Sequence, residues 1–324
     1  MSNNLLIDDG AKTFGAGLHD AARPRQLDWY YVTGVAGIHV LALLALFPWF
    51  FSWTGLLVAL IGMFVFGTLG TCVGFHRLLT HRSFACPRWL ERVLVLLGTC
   101  CMMESPPYWV AVHRMHHQHA DDDHDPHSPL RSFFWSHFGW YLIHTDREHR
   151  KLLIDRYARD VMRDPLYAFL ERKHNWVGLV VLSWLLFFAA GWGASLALGS
   201  TNAEALQFGA SVLVWGVFVR SVEVFQVTMC VNSVTHLWGY RNYETPDNSK
   251  NNVWIGLITT GEGWHNNHHA DPRSAQHGHG RGELDVAWHS IKLLKRMGLA
   301  WDIVTPSPHL ASIKAPSNRL SESH

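Results

Sequence analysis

Charge is scarce in this chain. Asp, Glu, Lys and Arg make up 16% of its 324 residues, against about a quarter in ordinary soluble domains. The net charge is +1, so no basic surface for nucleic acid is indicated. Cysteine is also sparse. Cys72, Cys86, Cys100, Cys101 and Cys230 form no Cys-x-x-Cys pair, which leaves neither a disulfide framework nor a thiolate zinc site. They read as free thiols facing a reducing cytosol. There is no Gly-rich phosphate loop. Residues 1–28 lack an apolar core before a cleavage site, and Asp8, Asp9 and Asp20 interrupt them. They read as a cytosolic segment, not a signal peptide. The Pro/Ser-rich stretch 305–324 reads as a disordered tail.

Apolar residues gather in four blocks, about 29–53, 55–74, 176–198 and 208–231. Each has roughly the 20 residues that cross a bilayer as a helix. The short turns Ser52 to Thr54 and Gly199 to Gln207 contain no Lys or Arg. The other side carries Arg23, Arg25, Arg77, Arg82, Arg88, Arg92, Lys151, Arg156, Arg159, Arg163, Arg172 and Lys173. This asymmetry predicts two membrane hairpins with the rest of the chain cytoplasmic. The expected fold is all-α: four transmembrane helices under a helical cap built from 75–175 and 232–304. The 16 tryptophans suit the membrane boundary. The apolar stretch from Trp89 to Met103 is too short to span and reads as an interfacial helix. Arg220 and Glu223, one turn apart in the fourth block, read as a structural ion pair.

Histidine is the abundant polar residue, 23 in all. Three clusters and one pair stand out: His76 with His81; His113, His116 and His117; His265, His268 and His269; and Asn232 with His236. Positions i, i+3 and i+4 share a helix face, so each His-x-x-His-His cluster converges, as do Asn232 and His236. His76 and His81, five apart, diverge on a straight α-helix and serve different metals or straddle a helix end. Nine clustered imidazoles exceed what one metal needs and fit two. Imidazole ligation suits iron, zinc, copper or nickel; a redox pair of irons with open positions fits best. His119, His124, His144, His149, His174, His277, His279 and His289 read as surface or internally satisfied residues. His127 and His137 read as groups that orient ligands or bond within the cap.

The strings GFHRLLTHRSF, HRMHHQHADDDHDPHSP, SHFGW, NSVTHLWG and GEGWHNNHHADPRSA resemble the membrane fatty-acid desaturase family, in its Δ9 acyl-CoA desaturase-like, bacterial-type branch. The resemblance covers about residues 74–302. It implies a cytosolic di-iron site with ligands His76, His81, His113, His116, His117, His236, His265, His268 and His269, and Asn232 acting through water. It implies insertion of a cis double bond into a saturated acyl chain carried on CoA or membrane lipid, using dioxygen and two electrons. No His-Pro-Gly-Gly string occurs, so electrons are expected from a separate ferredoxin or cytochrome b5-type donor.

A chain-shaped substrate needs an apolar tunnel. Trp109 and Trp264 are candidate tunnel walls, and Met63, Phe64 and Phe66 candidate stops that read chain length. The sequence departs from animal acyl-CoA enzymes where these hold the head group: Val110-Ala111-Val112 replaces an Arg-Asp pair, and Ile143-His144 a basic pair. Arg114 and Arg131 remain as candidate phosphate partners. Two other functions compete: a membrane di-iron hydroxylase or alkane monooxygenase, and a metal transporter, which would place polar ligands mid-membrane.

Overall fold

A computed structural model of the protein describes residues 26–315. Arg23, Arg25, most of the N-terminal segment and 316–324 of the expected tail lie outside the described residues. Helix α1 (Trp29–Ala42) continues as one tighter turn to Leu46. Asp28 caps it, its carboxylate accepting from the Tyr30 amide at 3.0 Å. Helix α2 (Trp53–Thr80) starts at Ser52, whose hydroxyl accepts from the Gly55 amide. Four cap helices follow: α3 (Arg88–Thr99), α4 (Pro106–His119), α5 (Phe133–His137) and α6 (Arg147–Tyr157). Helix α7 (Pro165–Glu171) leads through a kink into α8 (Asn175–Ala197). Helix α9 (Asn202–Leu237) opens with a capping box between Thr201 and Glu204. Helices α10 (Val253–Ile258), α11 (His265–Ala270) and α12 (Val286–Arg296) complete the cap. Among the described residues there are isolated bridges but no strand.

Four helical stretches are long and apolar enough to cross a membrane, in agreement with the four apolar blocks. Their bounds differ from the sequence reading in one way that matters. Helix α2 does not stop at 74 or α9 at 231; they run on to Thr80 and Leu237. At about 1.5 Å per residue they measure on the order of 40 and 50 Å, well beyond a hydrocarbon core of about 30 Å. The surplus turns lift His76, Asn232 and His236 into the cap. Helix α1, by contrast, ends before 53: the chain leaves it through Phe47–Phe51.

The stretch around α3 does not span. Its 12 residues lie against α2, where Gly70 meets Gly98 so closely that a Cβ at Gly70 would stand 2.4 Å from the Gly98 nitrogen. Leu90, Leu94 and Val95 face inward while Trp89 and Val93 face out, as an interfacial helix should.

Two expectations are corrected. Arg220 and Glu223 form no ion pair. The Arg220 guanidinium donates to the Cys100 carbonyl at 3.2 Å and lies over the Phe66 ring, 3.9 Å from its centroid. The packing of α2 and α3 around Arg220 sets its partners, not the one-turn spacing. The stretch from 305 is ordered as far as 315. The Glu244 amide donates to the Ile313 carbonyl at 2.7 Å, the Ala315 amide to the Asn242 carbonyl at 2.9 Å, and Leu310 is buried.

Candidate metal centre

Nine histidines meet between α2, α4, α9 and α11. They fall into two groups whose ring nitrogens lie within 4.8 Å of one another: His76, His81, His113, His117 and His268, and His116, His236, His265 and His269. The i, i+3, i+4 clusters converge as their spacing predicts. His76 and His81 converge too, which a straight α-helix would not allow, since five residues at 3.6 per turn leave them about 140° apart. From Met63 the helix is widened into π form, and the His81 amide bonds back to the His76 carbonyl at 3.1 Å. That i→i+5 bonding stacks residue i+5 over residue i, and the two rings stand 4.8 Å apart. Both belong to the first group, and His81 caps the helix that ends at Thr80, so of the two readings of this spacing the pair that straddles a helix end fits and separate metals do not.

The ring nitrogens aim at common points. Nε2 pairs stand 3.1 Å apart in His76–His268, 3.1 Å in His113–His117, 2.9 Å in His117–His268 and 3.0 Å in His236–His265. Two imidazoles bound at right angles to one ion through bonds of about 2.1 Å stand about 3.0 Å apart. The buried Nε2 atoms of His81, His116 and His269 have no protein hydrogen-bond partner. A metal ion in each group would satisfy them.

From behind, carboxylates fix four of these rings. The Nδ1 atom of His76 faces Glu262 at 2.6 Å, His116 faces Asp125 at 3.0 Å, His236 faces Asp121 at 2.9 Å and His269 faces Asp247 at 2.8 Å. A proton held there leaves the Nε2 lone pair free to bind a metal. Burial, reinforced by neighbouring histidines, pushes His81, His113, His117, His265 and His268 well below the usual imidazole range. Such rings are neutral at pH 7, the form that coordinates. Burial would raise the Glu262 carboxyl, but Arg77 at 2.9 Å overcomes it and holds the group well below its usual range.

Sequence reasoning missed these carboxylates and gave His277, read as surface or internally satisfied, no place beside the centre. That residue is fully buried, its ring is 4.4 Å from His268, and its Nδ1 lies 3.2 Å from Glu262. The acidic run after the second cluster was a usable signal for Asp121 and Asp125. Nothing local marks Glu262, Asp247 or His277.

The remaining candidates divide. Trp109 stacks on His113, with centroids 5.0 Å apart, and lines the cavities described below. Trp264 does not: it is fully buried against Gly256 and donates to the Leu284 carbonyl, so packing replaces the tunnel-wall role. Arg114 is corrected as well. Its five N–H groups meet five acceptors, on Leu79, Thr80, Tyr157 and twice on Asp160, leaving none for a phosphate. Arg131 donates to the Asp123 carbonyl and lies over Trp135. His127 packs 4.2 Å from the His116 ring, whereas His137 bonds Ser233 and Gln226 on α9.

Three cavities lie in series beside the centre, each sharing wall residues with the next. An apolar one of about 220 Å³ lies between α2, α9 and α10 and ends on His76, His113 and His265. Met63 and Phe64 line it; Phe66 instead lies under Arg220. Trp109, His113, Thr228 and Asn232 also wall a neck of about 40 Å³. At its other end, Glu104, Tyr108, Trp140 and Tyr141 are shared with a polar basin of about 420 Å³ in the cap.

A fatty acid desaturase profile matches residues 51–300. The chain belongs to the fatty acid desaturase family. It is 41% identical over 278 residues to an sn-1 stearoyl-lipid 9-desaturase of Anabaena variabilis, covering 86% of this chain and 94% of the relative. It is 37% identical to an sn-2 palmitoyl-lipid 9-desaturase of Nostoc, covering 92% and 98%. An acyl-CoA C20 Delta5-desaturase of Anemone leveillei is 38% identical, covering 86% and 83%. This desaturase is an oxidoreductase with membrane-spanning helices and histidine clusters able to hold metal. The relatives' names differ in carrier and bond position.

Proposed function

We propose that this desaturase inserts a cis Δ9 double bond into a saturated acyl chain esterified in a membrane glycerolipid, with its centre on the cytoplasmic side. The carrying observation is the apolar cavity that ends on His76, His113 and His265. Two irons would be held by His76, His81, His113, His117 and His268, and by His116, His236, His265 and His269, with Asn232 beside them. Bound there with dioxygen and two electrons from a separate ferredoxin or cytochrome b5-type donor, iron would supply the oxidising power that an unactivated methylene demands. The protein's part is positional. Trp109 and Thr228 confine the chain beside the imidazoles, and the apolar walls exclude water.

The lipid carrier is favoured by charge. The basin's Arg150 is answered by Glu104 and Glu171, and His144 by Asp28. Val110, Ala111 and Val112 are buried in the core. Arg147 is the basin's remaining cation, one guanidinium where a polyphosphate head group calls for several, and the relatives named for lipid substrates support the lipid reading.

Expression in a host lacking unsaturated fatty acids tests this, with gas chromatography and positional analysis of its lipids. The expected product is a cis-9 monoenoic chain in intact glycerolipid. A hydroxy fatty acid as main product would replace the reading with the hydroxylase one.

A further inference from the structure

The polar basin has a second apolar neighbour. Tyr30, Tyr31 and Tyr141 wall the basin, and they also wall another cavity, about 320 Å³, bounded by α1, α8 and α9. None of the nine clustered histidines lines this cavity. A broad side of α1 does, from Tyr30 and Tyr31 through Thr33, Gly34 and Val35 to Gly37, Ile38 and Leu41. Gly34 and Gly37 leave the space open, for a Cβ at either would meet nothing within 4 Å. Trp176 and Trp184 of α8 line it as well. Both α1 and α8 begin beside the basin, at Trp29 and Asn175, where the polar part of a lipid sits relative to a span.

The basin thus shares walls with two apolar spaces, the neck that leads toward the metal centre and the cavity between helices. A thioester carries one chain; a diacylglycerolipid carries two, joined at glycerol. Resting on the acyl-lipid reading above, we propose that the α1–α8 groove takes the second, non-reacting acyl chain of a diacylglycerolipid, while the first threads the neck to the histidines. The tyrosine wall shared with the basin commits the groove to this occupant: a chain lying there brings its glycerol beside the head of the neck. Its burial adds binding that a single-chain substrate lacks, and the anchored glycerol limits how far the reacting chain enters.

Filling the groove tests this. Membranes of a host that supports turnover would carry the wild type, Gly34→Trp, Gly37→Leu or Val40→Trp. Val40 lies on α1, is 64% exposed and does not line the groove. Three substrates would be supplied: distearoyl glycerolipids from that host's hydrogenated polar lipids, the lysolipids made from them, and stearoyl-CoA. Gly34→Trp and Gly37→Leu are expected to lower diacyl turnover at least about tenfold, the equivalent of two methylenes left unburied. Lysolipid turnover should stay within about twofold of wild type, and Val40→Trp should leave both unchanged. Equal losses on diacyl lipid and lysolipid, or no loss on either, would overturn the groove assignment and leave the acyl-lipid reading intact. Wild-type turnover of stearoyl-CoA alone would overturn both.

Discussion

Four clustered histidines are each backed by one carboxylate, and the backing residue does the orienting. Removing it leaves the ligand in place but frees its ring to rotate and to protonate at either nitrogen. Asp247→Asn, which loses the charge behind His269, is therefore expected to weaken metal retention about 10- to 100-fold. Metal content after a graded chelator challenge measures it; wild-type retention would show that Asp247 does not support the centre. His265→Ala removes a ligand outright. It should abolish turnover while the protein stays in the membrane, and full turnover would refute the assignment. Acid should unfold the metal-stripped protein. Burial lowers His269 and His277 to about 4, whereas an unfolded imidazole titrates near 6.5. Below about pH 6.5 the unfolded chain binds protons that the fold does not, so stability falls until about pH 4. Denaturant midpoints across pH 5–8 would show it; a flat profile would contradict it.

At the scale of elements, helix α2 accounts for what spacing alone misjudged. Two histidines five apart meet because the helix is widened to i→i+5 bonding, a form often found at functional sites. The α2–α3 crossing supports that segment. Gly70→Leu would drive a side chain into the Gly98 backbone and should destabilise the protein by about 1–3 kcal/mol. Thermal unfolding in detergent, with Gly178→Leu as the control whose Cβ meets open space, reads the difference. Equal melting temperatures would show the crossing to be slack. Span existence was legible in residue order because apolar blocks announce it. Helix ends were not, because α2 and α9 leave the apolar region without leaving helical geometry.

At the scale of the whole molecule, the hairpin count and the metal centre constrain each other. If α3 crossed the membrane, His81 and His113 would lie on opposite faces, yet their rings stand 5.2 Å apart. The basic residues on the cap side predict that this side is cytoplasmic. In a background without the native cysteines, Ala203→Cys in the first turn of α9 should react with an impermeant maleimide on intact cells. Arg159→Cys in the cap should react only after lysis. The reverse pattern would place the centre on the outer face.

Residue order alone determined the four spans, the convergence of both His-x-x-His-His clusters and the family, because those signals are local: apolar runs and repeats of three and four. Tertiary structure decided what stands behind and beside them. Glu262 reaches His76 across 186 positions and Asp121 reaches His236 across 115, separations no pattern encodes. It withdrew Arg114 from the substrate by bonding every donor, put Trp264 into the core, and parted Arg220 from Glu223. It also set two apolar cavities beside one polar basin. That arrangement depends on how α1, α8 and α9 pack, and packing is not written in any one of them.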